Sequence, residues 1–331
     1  MKKVLVIQTA FIGDAILASS VLESIHSAHG NVKLDLLVRK GNEGLFSGHP
    51  YIHSLLIWNK KEGKYKSLFA LLKTIRKEKY DVVINLQRFA ASGFLTAFSG
   101  ATIKIGFKKN PLSFLFDRAA EHVISTQTES STHEIDRNHS VLKLWEETPL
   151  KPPKLYPTID DFKKVDPFVK EAFITISPAS VWETKKTPVE IWINLINELK
   201  GEKVYLNGGP GDIELCEELR AKVNYPNVEV IAGKLSLLQS AALFSKAKRN
   251  FVNDSGPLHL CSAMNAPVTA VFCSTLPSFG FGPLSNDSIV VQTNEKLTCR
   301  PCGLHGKSQC PQGHFKCGHT IDYRELSNSL K

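Results

Sequence analysis

A short polar turn between two apolar stretches is the part of this sequence best suited to bind a charged ligand. It consists of Asp254, Ser255 and Gly256, and the run 250–253 before it predicts a strand. Pro257 then begins a predicted helix, whose first backbone N–H groups have no partner inside the helix. Such free donors at the positive end of a helix dipole suit a phosphate, and glycine permits close approach. Capping of the helix by Asp254 or Ser255 is the alternative interpretation.

Asp14 is the second residue that could do chemistry. It follows the strand-like run 4–7 and Gly13, and it opens a predicted helix. In α/β folds, ligands bind beyond the carboxyl ends of strands, which is where this carboxylate would lie. The residues alone leave two roles open, a catalytic carboxylate or a favourable charge at a helix N-terminus. The turn lacks a full Gly-x-Gly-x-x-Gly pattern, so a dinucleotide is not indicated.

A third turn, 207–212, contains Gly208 and Gly209 and ends at Asp212. It lies between a predicted strand and a predicted helix. Glycines at this place permit close approach of the backbone to a ligand, although a plain tight turn also explains them.

The elements that must position these turns alternate along the chain, which predicts an α/β fold. Strands are predicted at 4–7, 33–38, 81–86, 173–177, 203–206, 228–231, 250–253 and 268–272, and helices over 15–25, 69–76, 191–199, 215–223 and 237–243. A length of 331 residues exceeds what one hydrophobic core usually serves. The prolines at 149, 152, 153 and 157 mark a linker between domains 1–157 and 158–331.

The net charge of +9 is concentrated in the first half. Residues 1–157 carry 22 Lys and Arg against 14 Asp and Glu, a net charge of +8. This predicts either an acidic partner or a basic solvated surface, and nucleic acid is disfavoured because no binding motif accompanies the charge. No apolar run approaches the roughly 18 residues of a membrane helix, and no signal-peptide pattern follows Met1, so we expect a cytoplasmic protein.

Four of the seven cysteines lie in a tail, 299–317, that has little hydrophobic patterning. They are Cys299, Cys302, Cys310 and Cys317. The first two have chelate spacing, which predicts a structural zinc site, with four reduced thiols as the alternative. A catalytic metal is not expected, because nothing in the tail supplies an open coordination position.

The motif Asn-Asp-Ser-Gly-Pro-Leu-His-Leu at 253–260 resembles the donor-binding motif of the bacterial lipopolysaccharide heptosyltransferases, glycosyltransferase family 9. The resemblance extends over nearly the whole chain. It implies the GT-B fold, two Rossmann-like domains facing each other across a cleft, with the acceptor on the N-terminal domain and the nucleotide sugar on the C-terminal domain. It also implies inverting transfer of heptose from ADP-heptose to the lipopolysaccharide inner core, with no cofactor required.

The resemblance also assigns roles to residues. Gly13 and Asp14 match the turn that carries the catalytic base, and Lys185 matches the lysine of a Lys-x-Trp-Pro pattern in which Thr187 stands where tryptophan is usual. The residues expected at the donor are Ser180, Gly209, Asp212, Leu235, Asp254, Ser255, Gly256 and His259. Leu235 is expected against the adenine.

The implied partners are an ADP-heptose donor, a phosphorylated lipid A and core acceptor, and the anionic inner leaflet, to which the protein would bind peripherally. Candidate basic contacts are Arg88, Lys108, Arg118 and Arg137. The rival functions are a transferase of the same architecture that uses another nucleotide sugar, a non-catalytic binder of sugar nucleotides or glycolipids, and a zinc-ribbon protein that binds nucleic acid.

Overall fold

The computed structural model describes residues 2–60, 63–124 and 132–330. Within them the chain forms two compact units, and it passes from the first to the second between Tyr156 and Pro157. Each unit is a parallel sheet with helices packed on it. No helix in these ranges combines the length and the apolar character needed to cross a membrane.

The first unit contains a sheet with the order β3-β2-β1-β4-β5-β6 in its described part. Its strands are β1 (Lys3–Gln8), β2 (Lys33–Arg39), β3 (Ile52–Trp58), β4 (Val82–Asn85), β5 (Ile103–Phe107) and β6 (Arg118–Ala120). Its helices are α1 (Ile12–Ala28), α2 (Lys64–Glu78), α3 (Ala90–Ala97) and α4 (Glu134–Leu142). Every strand pair is parallel, and the direction of the winding reverses between β1 and β4. Ligands bind at such a switch point in doubly wound folds.

The core of the first unit forms because its central strands are apolar on both faces. Leu5 and Ile7 of β1 are fully buried. Helix α2 packs on the sheet through Leu68, Leu72 and Ile75, whose spacing places them on one helical face.

The second unit repeats the plan with the order β12-β11-β10-β7-β8-β9 across the described residues. Its strands are β7 (Phe173–Ser177), β8 (Lys203–Leu206), β9 (Val228–Val230), β10 (Arg249–Asn253), β11 (Val268–Phe272) and β12 (Ser288–Gln292). Its helices are α5 (Ile159–Val165), α6 (Val189–Glu198), α7 (Ile213–Lys222), α8 (Leu237–Phe244), α9 (Gly256–Met264), α10 (Lys316–His319) and α11 (Tyr323–Asn328). The switch point lies between β7 and β10, which are hydrogen-bonded neighbours. The predicted α/β class is confirmed.

Candidate active site

Lys185 and Asp254 form a buried ion pair beyond the carboxyl ends of β7 and β10. Lys185 Nζ lies 2.6 Å from Asp254 Oδ2, and the two side chains are 14% and 6% exposed. Lys185 ends a short 3-10 turn, Glu183–Lys185, in the loop after β7, whereas Asp254 follows β10 directly. The hydroxyl of Thr275 donates to the same carboxylate oxygen at 2.6 Å. The pair therefore lies at the switch point of the second sheet.

Asn253 fixes the loop that carries Lys185. Its Oδ1 accepts hydrogen bonds from the backbone N–H of Thr187 at 3.1 Å and from the Thr187 hydroxyl at 2.6 Å. Its Nδ2 donates to the carbonyl of Pro178 at 2.7 Å. Thr187 is buried, so at this position, where the family pattern has tryptophan, a small hydroxyl side chain joins the loop to β10. The loop is held by polar contacts rather than by an aromatic ring.

Helix α9 begins at Gly256, the last residue of the predicted turn and one residue before the predicted start at Pro257. Within the described residues, neither Asp254 nor Ser255 caps this helix with its side chain. The Asp254 carboxylate instead binds Lys185, and the Ser255 hydroxyl donates to the carbonyl of Asn253 at 3.3 Å. Among the described residues, the backbone N–H groups of Ser255 and Gly256 have no protein acceptor. These donors, at the positive end of the α9 dipole, suit an anion beside the Lys185 ammonium.

The other expected donor residues lie in loops around this turn. Gly209 donates its N–H to the Asp212 carboxylate at 2.8 Å, so Asp212 stabilises its own turn. A Cβ on Gly208 would lie 2.7 Å from the Asp212 Cβ, which explains the need for glycine there. The N–H of Gly233 donates to the carbonyl of Gly208 at 2.9 Å. This bond brings the loop of half-buried Leu235 beside the glycine turn.

Ser180 and His259 also lie in the second unit. Ser180 is half-buried in the loop after β7, three residues beyond the strand end. His259 is buried within α9, with its ring centroid 6.3 Å from that of Phe281. Ser180 follows the same strand as Lys185, and His259 lies one turn after Ser255 on the helix that starts at the Asp254 to Gly256 turn.

The predicted four-thiolate zinc site is not supported. Within the described residues, no group of three or more His, Cys, Asp or Glu side chains is arranged to hold a metal ion. Cys317 is buried in α10, and burial raises the pKa of its thiol to about 11. The thiol of Cys302 instead donates to the carbonyl of Cys299 at 3.4 Å, and Cys299 Sγ lies 3.8 Å from His314 Nε2.

The tail is hydrogen-bonded to the end of β11 and to the Lys185 loop. Arg300 donates to the carbonyls of Phe272 and Thr275 at 3.0 and 2.8 Å. The N–H of Lys307 donates to Thr184 Oγ1 at 2.8 Å, and the N–H of Thr184 donates to the carbonyl of Lys307 at 3.1 Å. The tail therefore supports Thr184, the residue next to Lys185.

Asp14 is the third residue of α1 and is half-buried, and Gly13 precedes it in the first turn. The loop between β1 and α1 is held by three side chains that the sequence interpretation missed. They are Gln87, which bonds Gln8, Lys60, which donates to the carbonyl of Thr9 at 2.7 Å, and Asn42, which donates to the carbonyl of Ala10 at 3.1 Å. All three follow other strands, so only the sheet order brings them to the end of β1 and the residues between β1 and α1.

A buried charged cluster lies near Asp14. Glu134 Oε2 accepts from Arg137 Nε at 2.7 Å and lies 3.9 Å from His122 Nε2, and all three side chains are at most 6% exposed. Burial, together with the negative charge of Asp14, raises the pKa of Glu134 to about 7, although Arg137 opposes the shift. Burial and neighbouring cations lower the pKa of His122 to about 4. The capping box of His133 and Asp136 marks the start of α4, and it is the sequence pattern from which this helix could have been predicted.

One expected contact, that of Arg137, was wrong. Arg137 was expected to bind the acceptor or the leaflet, but its side chain is 2% exposed and is paired with Glu134. Of the others, Lys108 pairs with exposed Glu121 at 2.7 Å, Arg118 donates to the carbonyl of Leu144 at 2.5 Å, and Arg88 is half-buried.

The sequence profile described as glycosyltransferase family 9 (heptosyltransferase) matches residues 68–310, well over half of the chain. The chain belongs to glycosyltransferase family 9. This family 9 enzyme is 27% identical over 312 residues to lipopolysaccharide heptosyltransferase 3 of Escherichia coli, which covers 84% of this chain and 85% of the relative. The resemblance seen in the sequence and the glycosyltransferase class are thereby confirmed.

Two solved structures share the fold of this family 9 enzyme. The ADP-heptose lipopolysaccharide heptosyltransferase II of E. coli superposes with a TM-score of 0.76 at 21% identity, over 100% of this chain and 98% of that one. The E. coli heptosyltransferase WaaC with ADP superposes with a TM-score of 0.72 at 22% identity, over 87% of this chain and 92% of that one. The expected GT-B class of fold, with two Rossmann-like domains, is confirmed.

Proposed function

We propose that this enzyme transfers heptose from ADP-heptose to the inner core of lipopolysaccharide, with inversion at the anomeric carbon. The observation that carries the proposal is the buried Lys185 ammonium beside the uncapped N-terminus of α9. Membership of family 9 and the lipopolysaccharide heptosyltransferases among its relatives support the sugar and the acceptor. A related fold solved with ADP supports the nucleotide.

In the second unit the donor diphosphate binds at the start of α9. Backbone N–H groups of Ser255 and Gly256 donate to it, and Lys185 offsets the negative charge that grows as ADP leaves. Asp254 holds the Lys185 ammonium in place, as the 2.6 Å contact supports.

The remaining donor residues surround that diphosphate. Leu235 lies against the adenine, and the neighbouring turn with Gly209 and Asp212 lets the nucleotide approach the backbone. Ser180 and His259 contact the donor or orient the turn. No metal is required in this scheme, because a helix N-terminus and a lysine together stabilise the leaving diphosphate.

In the first unit the acceptor binds and Asp14 acts as the general base. A hydroxyl is a weak nucleophile until its proton is removed, and a carboxylate at the carboxyl end of β1 is placed to accept it. The proton passes from the acceptor hydroxyl to Asp14, the hydroxyl oxygen bonds to the anomeric carbon, and the bond from that carbon to the ADP phosphate oxygen breaks. Attack from the side opposite ADP inverts the centre.

The basic first half supports a peripheral association with the anionic inner leaflet from the cytoplasmic side, where the phosphorylated acceptor is anchored. Association with anionic vesicles should weaken as salt rises, since such attraction is screened over about 8 to 10 Å at physiological salt. Binding that does not depend on salt would contradict this electrostatic account.

One assay tests the function. The purified protein is incubated with a panel of ADP-, UDP- and GDP-sugars and truncated lipopolysaccharide acceptors, and nucleotide release and acceptor mass are followed. We expect release of ADP together with an acceptor heavier by one heptose. Turnover of a different nucleotide sugar, or binding of ADP-heptose without turnover, would replace the proposal with another transferase or with a non-catalytic binder.

A further inference from the structure

Helices α2 and α3 expose a set of aromatic rings on the surface of the first unit. Tyr65 and Phe69 of α2 are 71% and 60% exposed, and Phe98, directly after α3, is 47% exposed. The Phe94 ring joins them, with centroids 5.5 Å from Phe69 and 5.0 Å from Phe98. We call these four residues the aromatic face. Isolated exposed apolar residues are common, but a contiguous group marks an interaction surface.

Exposed cations lie beside the aromatic face on α2. They are Lys66, Lys73, Arg76 and Lys77, and none of them forms an ion pair with another residue in the described ranges. Glu78, the acidic residue of α2, is already paired with Lys3. The helical period places Lys66, Lys73 and Lys77 on one line, away from the face that packs on the core. Helix α2 therefore presents a core face, an aromatic strip and a basic strip.

This pattern fits an anionic lipid surface better than it fits a protein. Aromatic rings next to lysines are typical of helices that lie in a membrane interface, with the rings among the acyl chains and the cations at the lipid phosphates. A second copy of this chain, docked by the same face, would bring the unpaired cations of both copies together, and like charges repel.

The position of the face agrees with a lipid-anchored acceptor. Helix α2 follows β3 and α3 follows β4, so both helices begin at the carboxyl edge of the sheet, the edge that carries Asp14. Tyr65 lies in the first turn of α2, and Phe69 lies about 6 Å further along the helix. The aromatic face thus starts at the level of the β1 to α1 loop.

We propose that the aromatic face and the adjoining basic strip of α2 dock this enzyme on an anionic lipid surface. The inference rests on the proposed function only in that the acceptor is lipid-linked. Docking would keep the carboxyl edge of the first sheet close to lipid headgroups, where the core sugars of the acceptor begin.

The test is co-sedimentation of the whole protein with vesicles of phosphatidylcholine, with and without phosphatidylglycerol. We expect wild-type protein to bind the anionic vesicles. Lys73→Gln with Lys77→Gln should weaken binding about 25-fold, at about fivefold per charge. Phe69→Ser with Phe98→Ser should weaken vesicle binding roughly tenfold or more, because the variant loses the free energy gained when the two phenyl rings move from water into the lipid.

Matched controls lie in the second unit. They are Lys163→Gln with Lys164→Gln, and Ile159→Ser, whose side chain is 75% exposed. These variants should bind vesicles like wild type.

Two readouts separate this inference from the proposed function. Transfer to a delipidated core oligosaccharide should be unchanged in the lysine variant, whereas transfer to acceptor in vesicles should fall with binding. Absence of vesicle binding by wild-type protein, equal binding by the variants and the controls, or concentration-dependent self-association that the same substitutions abolish would each overturn the docking proposal. Vesicle binding does not depend on turnover, so an inactive protein would refute the proposed function alone.

Discussion

Lys185 Nζ lies 2.6 Å from Asp254 Oδ2, and both side chains are largely buried. This contact gives Lys185 two tasks, because the ammonium that would stabilise a leaving diphosphate also compensates a buried carboxylate. Asp254 keeps one other described donor, the hydroxyl of Thr275. The family resemblance assigned the lysine to catalysis alone, whereas the structure adds a contribution to folding.

Lys185→Ala should therefore lower both turnover and stability. We expect turnover to fall about 10²-fold, as when one charge-stabilising group is lost, and the free energy of unfolding to fall by about 3 kcal/mol because Asp254 is left buried without its cation. Single-turnover kinetics and urea unfolding measure the two effects. Lys186→Ala is the matched control, since its partner Glu183 is 57% exposed, and it should change stability by less than about 1 kcal/mol.

A double variant separates the two tasks of Lys185. Lys185→Met with Asp254→Asn removes both buried charges, so it should regain much of the stability that Lys185→Met loses, without regaining turnover. Equal stability of the single and double variants would show that the pair does not stabilise the fold. Recovery of turnover in the double variant would exclude a catalytic role for Lys185.

Asp14→Asn should lower turnover by about 10² to 10⁴, because the amide keeps the size of the side chain but cannot accept the acceptor proton. The free energy of unfolding should change by less than about 1 kcal/mol, since the amide keeps the size of the half-buried side chain and a charge in the first turn of a helix is worth about that much. Glu190→Gln, in the first turn of α6, is the matched control for the dipole effect. Near wild-type turnover in Asp14→Asn would show that another residue is the base.

Glu134→Gln should change how stability depends on pH. The pKa of Glu134 is raised to about 7 from its ordinary 4.5, so this residue adds stability below pH 4.5 that is lost as pH rises toward 7. His122, with its pKa lowered from 6.5 to about 4, acts in the opposite sense, since its contribution is present above pH 6.5 and is lost as pH falls toward 4.

We therefore expect the free energy of unfolding of Glu134→Gln, relative to wild type, to increase between pH 4.5 and 7. Urea unfolding across this range measures the slope. Glu121→Gln, at an exposed carboxylate of the same unit, should leave the profile unchanged. A difference that stays constant across the range would refute the raised pKa.

Native-state thiol titration should divide the cysteines into two groups. Fast reaction is expected at the partly exposed Cys299, Cys302 and Cys310, and slow reaction at the buried Cys216, Cys261, Cys273 and Cys317. Burial raises the pKa of Cys216 and Cys273 to about 12, which leaves little reactive thiolate near neutral pH. A chelator should leave the number of fast-reacting thiols unchanged, whereas a bound zinc ion would protect those thiols from reaction until it is removed.

The sequence by itself determined the class of fold and the turns that could bind a ligand. Strand β1 is mostly apolar, β10 has Phe251 and Val252 at its centre, and polar residues and glycine follow both, so local periodicity and turn chemistry predict both the element and the place where it ends. The turn at Asp254 and the carboxylate at Asp14 were found in this way. The motif at 253–260 then gave the family, which the sequence profile confirmed.

Only the tertiary structure decided what these side chains contact. The bonds between Asn253 and Thr187 and between Lys307 and Thr184 join residues 66 and 123 positions apart, and no local pattern encodes such pairs. The sheet order likewise decided that Glu134 of α4 lies near Asp14, and that Arg137 is buried in an ion pair instead of facing a lipid surface. The cysteine spacing suggested a zinc site, but chelate spacing in sequence does not fix where four thiols point after the tail has packed on the Lys185 loop.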